Sequence, residues 1–368
     1  MRTIAGFLWR YLLGALFTLT PVTAILVVGW TQRATVRAVA RRWHKRAGNA
    51  PRDFGDFAMA ESDTAALARW PRWIMADDAG ALFADARRSG PARGLALTMR
   101  ALFGSLWLNA KAGVGVLIPV AIVALPAGLL FLLSWWGGWE NSFNKGYEQA
   151  WVGPTVAIAG IVYFVVAMTL LPLAEVRQAV NNTWRAFFDV AFLRRAAREV
   201  RLGVIGLAVL FVTAGFVVAA LKIAPLGIGN TIAAADVERV AGQYSLLVAA
   251  VLFPLYVALR LAAARVYARA VVKLAAKGEE AFAGREASLL ARLSLDGDGS
   301  ARRRGAIARV VMGSGALVFG AATSLLMFAV WFGFVAEIYI AQFLNHDWQA
   351  WVNHPLVQLP WVGSIFSK

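Results

Sequence analysis

Catalysis and metal binding need side chains that ligate, transfer protons or attack, and in this chain such residues are few and scattered. Histidine occurs three times, as His44, His346 and His354. The last two lie within NHDWQAWVNH beside Asp347, but eight residues apart on a helix their rings point roughly 80° apart, and no HExxH offers a closer pair of zinc ligands. An interfacial helix anchored by Trp348, Trp351 and Trp361 accounts better for that stretch. His44 stands in a run of arginines and reads as part of a solvated surface. DGDGS at 296–300 puts Asp296, Asp298 and Ser300 where a calcium loop has its first ligands. It then places Ala301 where the loop needs glycine and Ile307 where the bidentate glutamate belongs. Ser142 and Lys145 have the S-x-x-K spacing of acyl-enzymes but lack the KTG partner. GSGALVFG (313–320) opens an apolar run instead of following a strand, so it is no phosphate loop; Ala316, Gly320 and Ser324 on one stripe fit a close helix contact. With no cysteine there is neither disulfide nor thiolate site. The expectation is a non-enzymatic chain with no metal and no cofactor.

Three polar groupings are harder to dismiss. In 172–190, Glu175, Gln178, Asn182, Arg185 and Asp189 recur at spacings of three or four, giving one polar stripe on a helix that could lie on a membrane surface or dock on a partner. Glu337 sits deep in an apolar run, where a carboxylate must face a bundle interior or the outer boundary. SWWGGWENSFNKGYEQAWVGP (134–154) has the tryptophans of an interfacial belt. A belt does not explain the rest of the candidate contact loop formed by Trp139, Glu140, Asn141, Asn144, Tyr147 and Glu148.

The elements that carry these groups are apolar helices. Of 368 residues, 60% are hydrophobic and 16% charged, well beyond the apolar share of about 45–50% in soluble domains. A helix needs roughly 20 apolar residues to cross a hydrocarbon core, and six runs qualify: 7–30, 113–135, 152–174, 203–222, 244–264 and one from 313 that stays apolar to 340. Arg10 and Arg260, near span ends, are expected to snorkel to headgroups. Pro21, Pro119, Pro126, Pro172 and Pro254 fall inside spans and require neighbours to satisfy the carbonyls they free. The run 7–30 lacks a cleavage pattern and reads as a span, not a secretion signal.

Charge orients the chain. Segments 31–112, 175–202 and 260–312 together hold 31 Lys and Arg against 15 acids, an excess equal to the whole net charge of +16. The intervening loops are electrically quiet, so the basic side is expected to be cytoplasmic. Arg33, Arg37, Arg41, Arg42, Lys45 and Arg46, directly after the first span, are the expected contacts to anionic lipid headgroups. The helix they occupy carries Val36, Val39, Ala40 and Trp43 on its other face and reads as leaving the membrane or lying on it. Length favours a full crossing by 7–30. Arg2 and Arg10 are better served by a re-entrant hairpin bent within 14–23.

The expected fold is thus all-α, a polytopic integral membrane helical bundle of about six transmembrane helices with amphipathic cytoplasmic helices. Its parts are a first span (7–30), a basic helical loop (31–112), a two-span hairpin (113–174) with its Trp-rich outer loop (135–151), and an amphipathic connector (175–202). A second hairpin (203–264), a basic helix and linker (265–312), a last span (313–343) and an outer interfacial tail (344–368) complete it. The expected partners are membrane lipids, anionic headgroups included, and another membrane protein. No nucleic acid is expected, because no module or basic groove interleaved with aromatics is present. An interaction, assembly or accessory subunit of a bacterial-type inner membrane fits these features best. A permease for a small solute, ion or lipid is the alternative, and a lipid-modifying enzyme fits least because the carboxylates are dispersed.

Overall fold

A computed structural model describes residues 2–47, 53–61, 65–135, 151–228, 237–278, 282, 284–295 and 318–329. Every regular element among them is a helix: α1 Arg2–Phe17, α2 Pro21–His44, α3 Phe54–Met59, α4 Ala79–Arg88, α5 Pro91–Trp135, α6 Val152–Asn181, α7 Trp184–Phe187, α8 Val190–Glu199, α9 Arg201–Ile228, α10 Val237–Ala275 and α11 Gly284–Arg292, with a 3₁₀ turn at Ala65–Leu67. A further apolar helix, α12, spans Val318–Ala329. Four helices, α5, α6, α9 and α10, are long and apolar enough to cross a membrane. Their outer faces follow helical spacing. Ile118, Ile122, Leu125, Leu129 and Leu133 of α5 and Ile158, Val162 and Val166 of α6 are exposed, as expected of helices surrounded by lipid.

The run 7–30 is not one uninterrupted helix. It breaks at Thr18–Thr20, where three hydroxyls take over backbone bonds. Thr18 donates to the Ala15 carbonyl at 2.7 Å, Thr23 donates to the Phe17 carbonyl at 2.8 Å, and Thr20 caps α2 by accepting from the Thr23 amide. Pro21 then starts α2, a position that needs no amide proton. Neither α1 nor α2 is among the four long apolar helices.

Helix α2 forms the centre of the bundle and packs against α1, α5, α6 and α10. Its approach to α5 is close because two glycines face each other's backbone. A Cβ on Gly29 would lie 1.7 Å from the Asn109 carbonyl oxygen, and one on Gly113 would lie 2.1 Å from that of Ile25. Glycine is required at such backbone contacts between helices. The face Val36, Val39, Ala40 and Trp43 is buried, and the Trp43 indole donates to the Ala268 carbonyl at 3.1 Å. This part of α2 therefore spends its apolar face on α10. His44 is also buried, against the rings of Phe54 and Phe57, contrary to the solvated position expected from its neighbours.

Two of the prolines inside spans, Pro254 and Pro119, find the expected compensation. A proline frees the carbonyl four residues before it. Pro254 frees that of Ala250, which accepts from the Tyr11 hydroxyl at 2.8 Å. Pro119 frees that of Gly115, which accepts from the Gln178 amide at 2.7 Å. Near Pro126, the Val123 carbonyl accepts from Tyr163 at 2.9 Å.

Candidate functional site

Two polar constructions stand out. The first gathers around the WPRW stretch at 70–73. Trp30 of α2 stacks on Trp73 with centroids 4.7 Å apart and on Trp70 at 6.1 Å, and Phe17 meets Trp73 edge-on. Each indole that is buried has its partner: Trp30 donates to the Pro71 carbonyl and Trp73 to the Arg10 carbonyl. These bonds pin the 70–73 segment between α1 and α2. Asn109 of α5, fully buried, fastens the other end by donating to the Arg72 and Trp73 carbonyls and accepting from Arg33 at 2.7 Å. Arg33 in turn pairs with Asp77.

This scaffold opens a cleft of about 350 Å³ lined by Arg10, Arg37, Arg69, Arg72, Trp70, Pro71 and Asp77. Four arginines from α1, α2 and the 69–72 segment thus line the cleft with one carboxylate, which already serves Arg33; Arg37 also donates to the Ala68 carbonyl and Arg72 to that of Ala76. Arg37 lies over the rings of Trp70 and Phe54, at 5.2 and 5.5 Å. Burial, then the like charges of Arg41 and Arg10, lower its proton affinity from the usual arginine value. Burial lowers that of Arg33 as well, against the opposing pull of Asp77. A site with such an excess of planar, fork-shaped donors can hold a carboxylate or phosphate group.

The second construction lies inside the bundle and joins α6, α8, α10 and α11. Glu175 pairs with Arg260, and both are buried. Arg260 therefore does not reach toward headgroups as its place near a span end suggested. Arg177 pairs with Asp189 at 2.7 Å, approaches Glu286 at 3.7 Å and lies 3.6 Å from the Phe192 ring centroid. Glu286, completely buried, accepts from the Tyr267 hydroxyl at 2.5 Å and from the Asn181 amide at 3.3 Å, while its own backbone amide donates to Asn181. Burial pushes the Glu286 carboxyl above the ordinary range, although Tyr267, Arg177 and Asn181 pull it back. Asp189 moves the other way. Partial burial opposes its ionisation, but hydrogen bonds from Arg177 and the Phe192 amide hold it below the usual value.

The polar stripe of 172–190 is therefore not one surface. Glu175 and Gln178 point inward, to Arg260 and to the Gly115 carbonyl. Asp189 caps α8 and binds Arg177. Asn182 ends α6 in the left-handed conformation and, like Arg185, is exposed. As a docking stripe the five residues are corrected to an internal lock with an exposed end. The basic set of α2 divides similarly. Arg33 and Arg37 are turned into the cleft scaffold, Arg42 is half-buried near Arg265 and Arg269, and Arg41, Lys45 and Arg46 are exposed. Arg10, Arg69, Arg72 and Glu286 were not singled out by sequence as site residues; only WPRW carried a visible signal.

Glu337, the loop residues Trp139, Glu140, Asn141, Asn144, Tyr147 and Glu148, the histidines His346 and His354, and the DGDGS and S-x-x-K stretches lie outside the described residues. Among the described residues no group of three His, Asp or Glu is placed to hold a metal ion. Comparison with family models, with curated proteins and with solved structures found no match.

Proposed function

We propose that this chain is a non-enzymatic integral membrane protein that acts as an interaction, assembly or accessory subunit of a membrane complex. In this reading its basic face lies on the cytoplasmic side of a bacterial-type inner membrane. The observation that carries the reading is the cleft, in which arginines from three separate chain segments are held around a carboxylate that is already engaged. Diffuse attraction to anionic lipid needs no such construction, whereas an acidic group on a partner protein does. The internal ion pairs support the same reading. Ionisable groups of a permease line a path for the solute, but Glu175, Arg260, Arg177 and Glu286 bind one another and tie helices together. Lipids, anionic ones included, surround the bundle. The exposed Arg41, Lys45 and Arg46 contact their headgroups.

The test is extraction of the native membrane into polymer-bounded discs followed by mass measurement, for the wild type and for Arg69→Glu/Arg72→Glu. A stoichiometric partner that is lost on charge reversal, with the protein still folded, is the expected result. A lone protein in the discs that instead conducts a small solute in reconstituted vesicles would make the permease the correct reading.

A further inference from the structure

A second opening, of about 870 Å³, lies on the flank of the bundle between α6, α8, α9 and α12. Its volume is within the range of roughly 300–1,000 Å³ of sites for small organic ligands. The two ends of this groove differ in chemistry. At one lip stand Arg194 and Arg198, one helical turn apart on α8, and Arg201 at the first residue of α9. Below them the walls are Val165, Val166 and Leu170 of α6, Val204 and Ile205 of α9 and Met327 of α12. The hydroxyls in the walls do not make them polar. Thr169 donates to the Val165 carbonyl at 2.6 Å, and Thr323 and Ser324 donate to carbonyls of their own helix at 2.8 Å. No carboxylate is among the lining residues. Gly320 keeps the passage open beside the lip, where a Cβ would come within 2.9 Å of an Arg201 guanidinium nitrogen.

The apolar walls belong to α6 and α9, two of the helices able to cross a membrane, and the arginines sit where α9 begins. Charge therefore lies at the depth of headgroups and grease at the depth of acyl chains. We propose that this groove is a discrete binding site for an anionic phospholipid, with the phosphate between Arg194, Arg198 and Arg201 and one acyl chain along the walls of α6 and α9. Guanidinium groups bind phosphate through paired, charge-assisted hydrogen bonds. The site differs from general attraction to an anionic leaflet in being a groove of fixed composition, with arginines at one end and apolar walls beside them. It requires only that the chain resides in a membrane, not that it has a protein partner.

The test uses the full chain in mild detergent, measured by native mass spectrometry and by thermal unfolding with phosphatidylglycerol, phosphatidylcholine or soluble glycerol phosphate added. The wild type should retain one phosphatidylglycerol at least tenfold more strongly than phosphatidylcholine, with glycerol phosphate unable to displace it. Arg194→Gln/Arg198→Gln should lose about tenfold in that retention. Arg87→Gln/Arg88→Gln, which removes equal charge from exposed positions on α4, should lose none. Val166→Trp, which fills the apolar wall of α6 and replaces none of the three arginines, should weaken phosphatidylglycerol retention. Equal losses in the two arginine pairs, or no headgroup preference in the wild type, would overturn the proposal in favour of a diffuse lipid annulus. Displacement by glycerol phosphate would overturn it in favour of a free-phosphate site. The headgroup comparison on the wild type decides the matter even where a variant does not fold.

Discussion

Replacing Gly29 by alanine adds one methyl group where, of the glycines among the described residues, a Cβ would meet its neighbour most closely, and the geometry fixes what must follow. The new Cβ would sit 1.7 Å from the Asn109 carbonyl oxygen, whereas carbon and carbonyl oxygen come no closer than about 3.3 Å even in favourable contacts. Helices α2 and α5 must therefore part by about 1.5 Å. The obstacle is backbone, so no side-chain rotation relieves it. Overpacking of this kind costs about 1–3 kcal/mol. The displacement also strains the Asn109 bonds to Arg33, Arg72 and Trp73, at about 1 kcal/mol for each one lost. With two of the three bonds lost, the expected total is about 3–5 kcal/mol, read as loss of folding free energy by steric trapping in bicelles. Gly206→Ala and Gly242→Ala supply the contrast, because a Cβ at either position meets nothing within 4 Å. There the better helix propensity of alanine should leave stability unchanged or raise it by up to about 1 kcal/mol. A Gly29→Ala protein within about 0.5 kcal/mol of the wild type would refute the reasoning about the α2–α5 crossing.

Three further outcomes follow from the interior. Glu286→Ala should destabilise by about 3–5 kcal/mol by leaving buried partners uncompensated, and a double-mutant cycle with Tyr267→Phe should give a coupling of at least about 1 kcal/mol; additive effects would mean the 2.5 Å contact does not form. Gln178→Ala should cost about 1–3 kcal/mol by orphaning the carbonyl that Pro119 frees, while Arg185→Ala, on the exposed end of the same stretch, should be neutral in the same unfolding assay. Asp189 has a lowered folded-state pKa. Its contribution is thus present above the ordinary aspartate value near 3.8 and lost as pH falls through the lower folded value. The melting difference between wild type and Asp189→Asn should accordingly be clear at pH 5 and shrink on acidification below 3.8; a difference that grows there would reverse the sign of the argument.

What could be read from sequence was length and periodicity. The apolar runs within α5, α6, α9 and α10 follow directly from the length a hydrocarbon core demands, and the face of Val36, Val39, Ala40 and Trp43 follows from helical spacing. Direction was not legible. Periodicity groups Glu175 with Gln178 but does not say whether that face meets water or core. The deciding partners are Arg260 and the Gly115 carbonyl, and neighbouring Asn181 meets Glu286 across 105 residues of chain. The central place of α2 depends on Gly29 and Gly113 meeting backbone, and a glycine in sequence does not reveal what it faces. Likewise, the cleft joins Arg10 to Arg69 and Arg72 only because the helix breaks at Thr18–Thr20 and the tryptophans stack.

The central claim is that the basic segments share one face of a membrane-spanning bundle. The chain has no cysteine, so single cysteines can be introduced without background at Arg88, Arg194, Thr155 and Gln243, all exposed, and labelled in oriented membrane vesicles with an impermeant thiol reagent. Residues 88 and 194 should react from one side and 155 and 243 from the other. Labelling of 88 and 155 from the same side would contradict the account.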